Sequence, residues 1–242
     1  MTRKPVAVTI RPERANSGVL GRMLDPIDRL SETIYSILIL LTFTFAFRII
    51  KLGLDPWQTL PSSYIDELLI GALGATVAWG VIDGIMYALM SVFARGERHR
   101  LLVHLQLADG DAAAVDVLAE EFDHMLEPIT RDAQRQLLYA DILDHLRDSR
   151  PQPVGFTSED FAGALGSVVV AVLAVLPSLI TLAVLRHEPA LAIRMSNVVS
   201  IVVLFIAGHE WGRYTGANPW KIGLLLAAVG VAMALWAFVL GG

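Results

Sequence analysis

The chain has 242 residues, no cysteine and a net charge of −5. That excludes disulfide staples, cysteine-ligated zinc and thiol nucleophiles, and gives no electrostatic footing for nucleic acid. Hydrophobic residues make up 55% and charged residues only 18%, against roughly 25% charged in soluble domains.

The apolar residues fall in blocks close to the ~20 residues that a helix needs to cross ~30 Å of hydrocarbon. Residues 1–24 precede the first block as a basic arm carrying Arg3, Lys4, Arg11 and Arg14. No apolar core or small-residue cleavage site follows, so the arm does not read as a secretory signal. Residues 25–93 hold two predicted transmembrane helices. At the first, Asp25 can cap free amides, Pro26 suits the first helical position, and Asp28 favours the positive helix end. Its apolar part runs from Thr33 to Ile50, and Gly53, Pro56 and Pro61 mark a short loop. The second begins after Ser62 and Ser63, with Asp66 and Glu67 in its first turn, and continues to about Phe93.

Residues 94–157 are too many for a turn and too polar to span. Their apolar residues repeat at helical spacing: Leu101 and Leu105; Val115, Leu118, Phe122 and Met125; then Leu137, Leu138, Ile142 and Leu146. Breaks at Asp109–Asp111 and at Glu127–Pro128 predict three short helices. Residues 158–242 hold three more spans: Phe161 to Leu185 with Pro177 inside, Ala190 to Ala207 with Arg194 and Asn197 at a polar start, and Ile222 to Leu240. A proline within a span frees a carbonyl that needs another partner. The predicted fold class is therefore all-α: a polytopic membrane protein with five transmembrane helices and a helical insert between spans two and three.

Lys and Arg counts orient the chain. With the N-terminus cytoplasmic, 15 of the 19 lie inside, and only Arg48, Lys51, Arg186 and Arg194 lie outside. This places the insert in the cytoplasm and the C-terminus on the opposite side. The expected location is the cell inner membrane, with the lipid bilayer as the first partner.

Asp83 is the most informative residue, because an ionisable group inside a span costs at least ~2.5 kcal/mol and points to function by default. It lies about 7 Å inside the inner boundary, counted at 1.5 Å per residue from Leu68. The alternative is that it hydrogen-bonds to a neighbouring span or snorkels. Asp25, Asp28 and Glu32 share a helix face at spacings of three and four. A short loop makes spans one and two antiparallel neighbours, so Glu32 and Asp83 fall at similar depth and can converge with Met86 or Tyr87. Carboxylates suit hard divalent cations, and a thioether adds softer character for iron or manganese. In the insert, Glu120 and His124, Glu121 and Met125, and Asp141 and His145 are each four apart. Such pairs can hold a transition metal, and they also occur by chance on solvated helices. His209 and Glu210 read as interfacial. No Ser-His-Asp set, Walker motif or hydrolase carboxylate pair is present, so no enzyme activity and no organic cofactor are expected.

Two spans, a cytoplasmic helical insert and three further spans resemble the vacuolar iron transporter family. The third span, running Phe161, Ala162, Gly163, Ala164 and on to Pro177, looks like that family's. So does the stretch from Gly208 through Gly212, Arg213, Gly216 and Trp220 to Gly223, with Gly241 at the close. The resemblance implies a homodimer that moves ferrous iron or manganese out of the cytosol in exchange for protons. It implies a path using an acidic residue of span one and acidic and Met residues of span two, for which Glu32, Asp83 and Met86 are the nearest positions. The family's Asp-Gly step in span one is absent here, and the insert carries few glutamates: Glu120, Glu121 and Glu127. The leading expectation is a divalent-metal exporter with Fe2+ or Mn2+ as substrate. The alternative is a non-transporting scaffold or sensor that acts through the insert.

Overall fold

The computed structural model describes residues 24–53, 60–61, 63–147, 149–151 and 153–241. The basic arm before Leu24, and Pro56 and Ser62 of the first loop, lie outside the described residues. Seven α-helices and no strand occur among those described: α1 Pro26–Leu52, α2 Tyr64–Leu107, α3 Asp111–Leu126, α4 Asp132–Leu146, α5 Ser158–Val184, α6 Pro189–Thr215 and α7 Pro219–Gly241. By length and composition, α1, α2, α5 and α6 can each cross a membrane. They fit a multi-pass membrane protein. The apolar stretch Pro219–Leu235 of α7 is shorter.

Pro26 does open α1, and Asp28 sits in its first turn. Asp25 stands at the N-cap, but its carboxylate makes no capping hydrogen bond. Helix α2 is longer than its apolar block. Its 44 residues extend about 66 Å at 1.5 Å per residue, roughly twice the hydrocarbon thickness. Leu101 and Leu105 therefore belong to the end of α2, so the insert has two short helices of its own rather than three. The physical reason is local: between Phe93 and Leu107 there is no proline and a single glycine, Gly96, while Arg95, Glu97, Arg98 and Arg100 are good helix formers.

The chain divides into two compact units: the described residues of Met1–Ile85 with Phe161–Gly242, and those of Met86–Asp160. In the first unit, α1 packs on α6 and α7, and α6 and α7 form a close hairpin. The core joins Ile37 and Leu40 of α1, Ile65 and Leu68 of α2, Val175 and Leu182 of α5, and Leu204 of α6. Large apolar side chains such as Ile70, Val81 and Ile85 point outward. This exposure suits lipid contact and would be a liability in water.

Two pairs of glycines spaced by four let backbones touch. A Cβ on Gly84 would lie 2.6 Å from the Ala164 carbonyl oxygen of α5, and one on Gly80 would lie 2.9 Å from Val168 Cα. In the α6–α7 hairpin, a Cβ on Gly212 would meet Pro219 Cα at 2.6 Å, and Gly208 repeats the approach one turn earlier. Small residues at this spacing are what close helix association in a membrane requires. Near Pro177, α5 and α6 are cross-linked by hydroxyls: Ser178 Oγ and Ser200 Oγ are 2.8 Å apart, and Ser196 Oγ donates to the Ser178 carbonyl at 3.1 Å.

In the second unit, α3 packs against α4. Gly110, at φ +92°, breaks the chain before α3. Leu105, Ala114, Leu118, Tyr139 and Leu143 form the core. Tyr139 is fully buried, and its hydroxyl donates to Asp123 Oδ1 at 2.7 Å. Arg135 Nε holds the same carboxylate oxygen at 3.0 Å. Arg95 grips Asp160 through both terminal nitrogens, at 3.1 and 2.5 Å, and also donates to the Gly155 carbonyl.

Gly84→Ala is expected to destabilise the protein by about 1–3 kcal/mol, since backbone must move to admit one methyl group. A thermal melt in detergent that matches wild type would refute the close approach. Burial, and then the Asp123 hydrogen bond, raise the Tyr139 pKa, against a smaller opposing effect of Arg135. The folded phenol therefore keeps its proton longer than the unfolded one. The stabilisation is fully present below the ordinary tyrosine value of about 10 and is lost as pH rises through the raised value. Melts between neutral pH and pH 11 should show a steeper alkaline loss of stability for wild type than for Tyr139→Phe.

A candidate carboxyl-pair site in the spanning helices

Glu32 lies on the second turn of α1 and is 2% exposed. It is the most deeply buried ionisable acid of that helix, and the reason is positional. Glu32, Ser36, Leu40 and Thr44 repeat at intervals of four, so they form one face, and all four are buried. Ser36 Oγ donates to Glu32 Oε1 at 3.2 Å. Glu32 Oε2 is buried with no hydrogen-bond partner.

The group that faces Glu32 is the carboxyl of Asp83, half-buried on α2 and within side-chain hydrogen-bonding reach. Two ionised carboxylates are both acceptors, so nothing on the protein can fill the bond between them. Only a proton on one of them, or a cation between them, makes the arrangement favourable. Two indole and guanidinium nitrogens on neighbouring turns are also buried without partners. Trp79 Nε1 lies four residues before Asp83, and Arg29 Nε three residues before Glu32. Asp28 is exposed on the first turn of α1, close enough to Asp25 and Asp83 to feel their charges. Met86, 50% exposed, and Tyr87, half-buried, follow Asp83 on the same helix.

The chemistry available to the pair is narrow. Two carboxylates can share one proton, or can supply two oxygen ligands to a hard divalent cation whose remaining ligands are water.

The insert residues are arranged differently. Glu120, Glu121, His124, Asp141 and His145 are all exposed, and Met125 is 57% exposed. Among the described residues, no group of three or more His, Asp or Glu side chains is placed to hold a metal ion. His209 packs edge-on against the Trp220 ring at 5.5 Å, and Glu210 accepts from Arg213 at 3.0 and 3.1 Å. Both are thus engaged in local contacts where α6 meets α7.

No protein-family model matches the chain, and no curated protein matches it. The fold and site define a class only: an all-α chain that fits a multi-pass membrane protein, with a buried Glu32 facing a half-buried Asp83 in its long apolar helices.

At alkaline pH, where both carboxyls are driven to ionise, Glu32→Gln should raise stability, because the amide can donate where two acceptors would otherwise meet. A gain of about 1 kcal/mol corresponds to a rise in Tm of roughly 2–4 °C for a chain of this size. A lower Tm in metal-free detergent solution would mean that Glu32 has a partner which this geometry does not include.

Proposed function

We propose that this protein exports a divalent transition metal, Fe2+ or Mn2+, from the cytosol in exchange for protons, through a path that includes Glu32 and Asp83. The observation that carries the reading is the facing of these two carboxyls inside the spanning helices, with one Glu32 oxygen left without a donor. Proton and divalent cation compete for the same oxygens, so loading of one expels the other, which is the elementary step of an exchanger. The resemblance to the vacuolar iron transporter family supports the direction and the metal class. It also supports a homodimer, in which a second copy can supply the ligands that a single chain lacks.

The proposed topology has five spans, with α7 as the fifth, the N-terminus and insert cytoplasmic, and the C-terminus on the far side of the inner membrane. The excess of Lys and Arg on one side supports this orientation. Glu32 and Asp83 then sit toward the cytoplasmic side, where an outward-moving metal enters.

A second reading is favoured by one observation, the scattered and exposed metal-capable residues of the insert. In that reading the protein keeps the scaffold without transport, and acts as a sensor or assembly partner through its insert.

Purified protein in proteoliposomes separates the two. Asp83→Asn should reduce Fe2+ or Mn2+ flux at least tenfold, while its melting temperature stays within a few degrees of wild type. Wild-type flux in that variant would sink the carboxyl-pair mechanism; absence of flux in wild type itself would favour the sensor.

A further inference from the structure

At the other end of α1 from Glu32, a partly open cavity of about 40 Å³ is lined by α1, α2, α6 and α7. Its walls are Leu41, Thr44, Arg48, Tyr64, Asn197 and Met233, with three further residues. Its polar groups are mostly donors. Tyr64 is 1% exposed, and its hydroxyl is buried with no hydrogen-bond partner. Arg48 Nε is likewise buried and unpartnered. Thr44 has already given its hydroxyl proton to the Leu40 carbonyl, at 2.8 Å.

A guanidinium whose Nε is buried without a partner favours a counter-charge nearby. Among the described residues, none lines the cavity. Glu67, one turn after Tyr64, is committed elsewhere: its carboxylate takes Lys51 Nζ at 2.5 Å and the Ser63 hydroxyl at 2.9 Å. The Tyr64 ring is fixed by an edge contact with Phe47 at 5.3 Å. Its hydroxyl therefore cannot swing far to find another acceptor.

We propose that this cavity binds one small monovalent anion of the halide class. The Arg48 guanidinium supplies the charge, and the Tyr64 hydroxyl and Asn197 amide supply further donors. The volume sets the ligand class. Its narrow inner part suits a chloride-sized ion with about one water. Charge sets the sign, because a cation would meet Arg48. The site is separate from the carboxyl pair: Arg48 lies sixteen residues after Glu32, about 24 Å along the helix. It does not depend on the transport reading, and either can fail alone.

The test is thermal unfolding of the full-length protein in detergent, in sodium chloride, sodium bromide or sodium gluconate at equal ionic strength. Chloride and bromide should raise Tm by about 5 °C over gluconate, saturating with concentration. Tyr64→Phe, which removes only the hydroxyl, should weaken halide affinity about tenfold, and Arg48→Gln should abolish the shift. Equal melting temperatures for wild type in all three salts would show that the cavity holds only water, and would overturn the proposal. So would a halide shift of unchanged affinity in Tyr64→Phe, a variant whose folding the gluconate melt checks independently.

Discussion

Two acids meeting inside apolar helices set the terms for the rest of this structure. Glu32 has been taken almost wholly out of solvent, and its one protein donor, Ser36, reaches only one of its oxygens. The group opposite is another acid. Removing a carboxylate from water costs several kcal/mol even after relaxation, and a like charge across the gap adds to that cost. The fold tolerates the arrangement because the surrounding helices are held by contacts that do not involve it: the leucine-rich core, the α6–α7 hairpin and the serine bridges between α5 and α6. The pair lies near the start of α1 and costs folding energy that the rest of the core supplies.

Much of the fold was legible in the sequence because hydrocarbon imposes a length and a composition on any helix that enters it. The apolar blocks, the proline opening α1 and the break at Gly110 all follow from that rule and from backbone sterics. The end of α2 was not legible. Hydropathy reports where a chain leaves lipid, not where its helix stops, and residues 94–107 change polarity without a breaker. Asp25 misled for a related reason: its type and position suit a cap, yet its side chain makes no capping hydrogen bond.

The candidate site was legible in part. Spacing put Glu32 on one face of α1, and antiparallel pairing put it level with Asp83. The structure brings these two together and leaves the carboxylate–histidine pairs of the insert on exposed surface. What sequence reading missed were residues whose meaning is relational. In the sequence Arg48 bears only on orientation and Tyr64 carries no signal; only folding sets both against one cavity with Asn197. The glycine pairs carried a usable signal, since Gly80 with Gly84 and Gly208 with Gly212 repeat at four-residue intervals.

Gly84 has a consequence for Asp83, its immediate neighbour. At that level the α2 backbone rests directly on the α5 backbone, with no side chain between to act as a bearing. Spinning α2 about its long axis would drive one main chain into the other, so the azimuth at which the aspartate leaves the helix is locked. In the proposed exchange, alternating access would then come from rotamer changes and proton movement, or from α2 and α5 shifting as one piece, and not from a twist of α2 alone.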